Sequence, residues 1–122
     1  MFTKDSGLSA QRSDLTPFAG YWPDGLYTAP TYEAMTHDIK TLKGLGHNMV
    51  RKHVKVEPAL YYAAADELGI LIMQDMPNIS KKLGMPNATQ QAEWERQLEV
   101  MVTQLRNHES IFAWVSPRKS LF

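Results

Sequence analysis

Between Leu45 and Pro77 the sequence changes its hydrophobic period twice, from strand to helix and back, and each change is marked by a residue that stops or starts an element. Gly46 sits where a preceding helix ends in the left-handed conformation that glycine adopts without strain. Asn48-Met49-Val50-Arg51-Lys52-His53 reads as a short strand. Pro58 then opens a helix, because the first turn has no intrahelical use for the N–H that proline lacks. Gly69 stops that helix, and Ile70-Leu71-Ile72-Met73 is a continuous apolar run of the kind a parallel strand shows when both its faces are covered. The run leads into Gln74-Asp75-Met76-Pro77. Strand, helix and strand in this order make a βαβ unit. The strand ends carrying Arg51 with His53 and Asp75 should therefore emerge side by side on one edge of a parallel sheet, the edge where such folds build their sites.

The flanking segments extend the alternation. Residues 1–14 are polar and aperiodic and read as a mobile arm or a remnant of something upstream. Leu15-Thr16-Pro17-Phe18 is a candidate first strand, although its proline argues against a central one. The loop from Gly20 to Pro30 holds Tyr21, Trp22 and Tyr27, which either plug the end of a core or line a substrate site. A helix follows from Tyr32 to Leu45, capped by Thr31, with Met35, Ile39 and Leu42 on one stripe and His37 and Asp38 on a solvated face. In the next helix, Pro58 to Leu68, Tyr61, Ala64 and Leu68 share a side while Asp66 and Glu67 point to water, and Glu57 reads as a helix-start charge. After the long connection 75–89, Asn87 and Gln90 form a capping box for a third helix, Gln90 to Arg106, whose Trp94, Leu98, Met101, Val102 and Leu105 recur at helical spacing. Ile111-Phe112-Ala113-Trp114-Val115 is a further apolar strand, and the sequons at Asn78 and Asn87 are read as chance matches. Alternation of this kind predicts an α/β chain with parallel strands, either an open doubly wound sheet or part of a (β/α)8 barrel.

Composition excludes several functions. With 13 Lys and Arg against 13 Asp and Glu there is no overall field to draw the chain to nucleic acid or to an anionic membrane. The chain has no cysteine, hence no disulfide or thiolate metal site. No apolar segment approaches the ~18 residues of a membrane helix, and MFTKDSGLSAQRSD lacks the apolar core of a signal peptide, so the expectation is a soluble chain of open compartment. His37, His47, His53 and His108 are scattered, without the spacing of metal ligands on one helix face. Neither a G-x-G-x-x-G turn nor a Walker loop is present, and no cofactor is expected.

Four blocks in order, GYWPDGLYTAP, GHNMVRKHVKVEP, ADELGILIMQDMP and LRNHESIFAWV, together resemble the catalytic barrel of glycoside hydrolase family 2, the family of β-galactosidases, β-glucuronidases and β-mannosidases. The likeness covers about Gly20 to Val115. It implies a partial (β/α)8 TIM barrel over residues 15–115, about the first four strand-helix units, with residues 116–122 as a divergent tail. The implied partner is a carbohydrate substrate, with no nucleic acid and no membrane, and the open barrel edge would favour self-association.

Retaining glycosidases place two carboxyl groups roughly 5 to 5.5 Å apart, one a nucleophile and the other an acid and then a base. In the family the acid/base is the Glu of an Asn-Glu pair just after the fourth strand; here Arg118 and Lys119 stand where that pair should follow Trp114 and Val115. The nucleophile comes from a later strand. The resemblance therefore assigns no catalytic residue to this chain, which by itself is expected to be inactive. It does assign Arg51 to a family arginine that holds the nucleophile carboxylate, a task suited to a guanidinium fork. The alternative is an arginine tying strand ends to a structural carboxylate. His53 falls near residues that line the sugar pocket, or is an ordinary hydrogen-bonded histidine. Asp75 matches a sugar-contacting carboxylate, or caps a loop. Trp114 and Trp22 offer aromatic faces to a sugar, though a tryptophan in an apolar strand also suits a core. A second reading is a carbohydrate-binding or scaffold protein that kept these strand-end residues without catalysis. A third makes SPRKSLF an artefact of gene prediction.

Overall fold

The computed structural model of the protein describes residues 28, 30–77 and 86–116. In these the chain runs α1 (Tyr32–Gly44), β1 (Met49–Lys52), α2 (Ala59–Leu68), β2 (Leu71–Asp75), α3 (Ala88–Leu105) and β3 (Ile111–Val115). The three strands form a parallel sheet in the order β1-β2-β3. The expected α/β alternation is thus present as three helices and three strands. The candidate strand Leu15–Phe18, the aromatic loop with Trp22, the sequon at Asn78 and the tail with Arg118 and Lys119 lie outside the described residues.

Local signals set the boundaries closely. The Thr31 side chain accepts a hydrogen bond from the Ala34 N–H, and Gly46 takes the left-handed φ of 89° that ends the turn after α1. Gly69, at φ 65° and ψ 47°, stops α2 in the same region. Both halves of the capping box are made, with Gln90 N–H donating to Asn87 Oδ1 at 2.9 Å and Asn87 N–H donating to Gln90 Oε1 at 3.0 Å. That box starts α3 at Ala88, two residues before the Gln90 start expected from the sequence. Asn87 spends its carbonyl oxygen on this cap.

The core lies between one face of the sheet and the helices. Residues paired across parallel strands share a face, so Val50 with Ile72 and Lys52 with Gln74 point to the same side. There Val50, Ile72, Met35, Ile39, Tyr62 and Ala65 are buried. Each large aliphatic side chain removed from water in this way contributes about 1.5–3 kcal/mol. The stripe anticipated in α1 is buried at Met35 and Ile39, with Leu42 packed against it. In α3, Met101 and Leu105 are buried, and Trp94, Leu98 and Val102 pack partly exposed against the core. Trp94 also donates its indole N–H to the Pro77 carbonyl at 2.9 Å, tying α3 to the end of β2.

Asp66 and Glu67 are exposed, as expected, and are also bonded: Glu67 accepts from the Tyr32 hydroxyl at 2.8 Å, and Asp66 accepts from the Ser110 N–H at 2.8 Å while its other oxygen lies 2.7 Å from His108 Nδ1. The reason is that helix ends meet neighbouring turns once the sheet has formed. One expectation at the start of α2 needs correction: Glu57, read as a helix-start charge, is buried and paired with Lys52 and Lys55.

Candidate functional site

Alternation along β1 and β2 separates two sets of polar residues at the same sheet edge. Arg51 pairs with Met73 across the strands, and Asp75 lies two residues beyond Met73, so Arg51 and Asp75 share the face opposite to Lys52 and Gln74. On that face Arg51 Nε donates to Asp75 Oδ1 and Nη2 donates to Oδ2, both at 2.9 Å. This is the two-pronged geometry that guanidinium and carboxylate favour. The hydrogen bond to Asp75 raises the Arg51 pKa above its ordinary value, against an opposing effect of burial, so the guanidinium remains charged. The pair is unequally covered: the Asp75 side chain is 5% exposed and that of Arg51 34%. A desolvated carboxylate thus holds a cation that still reaches solvent.

The remaining anticipated residues fall in different places. His53 follows β1 directly, outside the strand, and is exposed. Trp114 pairs with Gln74 and packs partly buried against the core, on the helix-covered face and away from Arg51. The sheet therefore brings Arg51 and Asp75 together on one side and leaves Trp114 on the other. Trp22 lies outside the described residues, as do Arg118 and Lys119.

Behind this edge lies a buried polar network that local sequence patterns do not announce. Lys52, fully buried, places Nζ 2.6 Å from Glu57 Oε1 and 4.7 Å from the centroid of the Tyr61 ring. Lys55 Nζ reaches the same Glu57 oxygen at 3.0 Å. Burial lowers the Lys52 pKa, an effect that the Glu57 carboxylate opposes. The Tyr62 hydroxyl accepts from the Glu57 N–H at 3.1 Å and donates to Gln74 Oε1 at 2.6 Å. Gln74 Nε2 donates to the carbonyls of Lys55, at 2.8 Å, and Asp75, at 2.7 Å. Burial raises the pKa of both tyrosines, so their hydroxyls stay protonated and able to donate. The one available signal is positional: a lysine next to Arg51 in a short strand must point into the helix layer and needs an anion there.

No group of three or more His, Asp or Glu residues among the described residues could hold a metal ion. None of their helices is long and apolar enough to cross a membrane. An open groove between the turn before α2 and α3 is lined by Val56, Pro58, Val100 and Met101 among others, and includes neither Arg51 nor Asp75.

No protein-family model matches the chain. A protein of Formosa agariphila named "Putative beta-glucuronidase" is 27% identical over 111 residues, which span 88% of this chain and 11% of the relative. Among solved structures, Bacteroides uniformis beta-glucuronidase 2 covalently bound to cyclophellitol-6-carboxylate aziridine superposes with a TM-score of 0.67 at 27% identity, over 84% of this chain and 12% of that one. The GH2 beta-galacturonidase from Eisenbergiella tayi bound to galacturonate gives 0.64 at 28% identity, over 71% and 16%. By sequence and by structure, then, the chain is similar to a segment of family 2 glycosidases, with β-glucuronidases and a β-galacturonidase among its neighbours. It spans about a tenth of the length of the curated relative that it matches.

Proposed function

We propose that the chain is a segment of a retaining family 2 glycosidase barrel, and that it supplies the substrate-holding side of a site for a terminal β-linked sugar. The observation that carries this reading is the Arg51–Asp75 pair at the ends of adjacent parallel strands, on the face turned away from the helices. The strand order β1-β2-β3, each strand added beside the last, fits a barrel segment and equally one half of a doubly wound sheet, so the barrel rests on the likeness to family 2 glycosidases. Because the neighbours include enzymes named for glucuronides and one bound to galacturonate, a uronide is the first sugar to test. Arg51 would hold a carboxylate, Asp75 would accept from a sugar hydroxyl or anchor Arg51, and His53 would line the mouth.

The test is titration of the full 122-residue chain with methyl β-D-glucuronide, followed by NMR. Saturable shifts at Arg51 and Asp75 that vanish in Arg51→Ala are expected, and no response at millimolar sugar would count against the reading. The same chain should release no nitrophenol from an aryl β-glucuronide, since neither position after β3 that matches the family's Asn-Glu pair is a carboxylate. Turnover would overturn that assignment. The sequence Ser116-Pro117-Arg118-Lys119 also favours a second reading, a carbohydrate-binding or scaffold protein derived from the same barrel. Binding without turnover in every longer form of the protein would select it.

A further inference from the structure

Val54, immediately after His53, has a φ of 51°. A β-branched residue rarely occupies the left-handed region, because its branched Cβ crowds the backbone there. Such a conformation persists only where the surroundings over-determine it. Both sides of Val54 are held. Upstream, Met49–Lys52 is locked by its ladder to β2. Downstream, the Lys55 carbonyl accepts from Gln74 Nε2, the Glu57 N–H donates to Tyr62 Oη, and the Glu57 carboxylate is drawn to Lys52. Tyr62 and Gln74 are fully buried and bonded to each other, so neither can follow the turn if it moves. The same Gln74 amide also holds the backbone carbonyl of Asp75.

We propose that Gln74 and Tyr62 are positioning residues, which pin the turn after β1 into its left-handed bend at Val54 and thereby aim His53 at the face that carries Arg51 and Asp75. One buried amide then references both the His53 turn and the Asp75 backbone, and the spacing between the two sugar-facing positions depends on it. The aiming of His53 at a sugar rests on the glycosidase reading above; the origin of the bend does not.

Two measurements on the full chain separate these parts. The first is a thermal cycle of the wild type, Val54→Gly, Gln74→Met and the double variant. Glycine relieves the bend, so Val54→Gly should raise the melting temperature by about 2–6 °C in the wild-type background. In the Gln74→Met background, where the turn is released, the gain should disappear. An equal gain in both backgrounds, or a loss in the wild type, would overturn the clamp. The second compares Gln74→Met with Val54→Gly, both checked as folded in the thermal cycle. In a methyl β-D-glucuronide titration, releasing the turn in Gln74→Met should weaken binding several-fold and abolish the response of the His53 ring resonances, while the Arg51 response persists and Val54→Gly, which keeps the clamp, responds as the wild type does. Unchanged affinity and an unchanged His53 response in Gln74→Met would overturn the positioning role. If the wild type shows no binding at all, the glycosidase reading and the aiming of His53 fall together, and the thermal cycle still decides whether Gln74 sets the turn.

Discussion

Arg51 and Lys52 are neighbours in the same short strand, yet one reaches solvent beside Asp75 while the other is sealed beneath the helices against Glu57 and Tyr61. Each cation has a carboxylate partner at hydrogen-bond distance. They differ in what surrounds them. On the helix face Lys52, Glu57, Tyr62 and Gln74 are buried and bonded to one another or to nearby backbone, so that removing one strands its partner. On the open face the Arg51 side chain keeps about a third of its exposure above a nearly buried Asp75. The comparison teaches that two ion pairs on one strand can differ chiefly in how far water reaches them.

Four substitutions would break or sharpen this contrast. The largest effect should come from Glu57→Ala, which leaves Lys52 as a buried cation without its carboxylate and should cost about 3–5 kcal/mol in urea unfolding. Tyr62→Phe should come next at about 1–3 kcal/mol, because it strands Gln74 Oε1 and the Glu57 N–H in the same denaturation measurement. Arg51→Ala should cost about 1–3 kcal/mol, less than Glu57→Ala, because the part-exposed guanidinium is lost but the nearly buried Asp75 carboxylate is left without it. If Arg51→Ala unfolds the chain as Glu57→Ala does, the open face is scaffold too and the contrast collapses. The smallest effect should be that of Asp66→Asn, below about 1 kcal/mol at neutral pH, its side chain being partly exposed. Burial pushes the Asp66 pKa up, but hydrogen bonds from Ser110 and His108 outweigh it and hold the carboxyl below its ordinary 3.8. This contribution is therefore whole above pH 3.8 and is lost as the pH falls through the lower folded-state value, so wild type and Asp66→Asn should converge in acid. Convergence on the alkaline side instead would refute the assignment.

The elements were legible in the sequence wherever the signal is local. Asn87 with Gln90 announces a capping box, Gly69 a left-handed stop, and the run Ile111–Val115 a strand, and the structure has each of these. The strand-end placement of Arg51 and Asp75 was legible too, because alternation and a βαβ order determine it. What escaped is what depends on a partner brought from elsewhere in the chain. Glu57 beside Pro58 carries every mark of a helix-start charge, and only the docking of α2 against β1 turns it into the buried partner of Lys52. Asp66 needs the turn before β3, far along the chain, to become more than a surface carboxylate. Trp114 in an apolar strand fits either face until the pairing with Gln74 selects one. An arginine tying strand ends to a carboxylate was one of the two readings of Arg51, and the structure has that bond; its partner Asp75 went unnamed, since side-by-side strands bring residues near without saying which of them bond.

The unbroken strand order β1-β2-β3 has a consequence for how the chain comes off the ribosome. Met49 meets Leu71, and Ile72 meets Ile111, so each strand finds its dock in the one synthesised just before it. A nascent chain of this topology can lay down its sheet from the N-terminal side as it emerges, needing no later segment to be inserted between strands already joined. The growing edge at any moment is the newest strand.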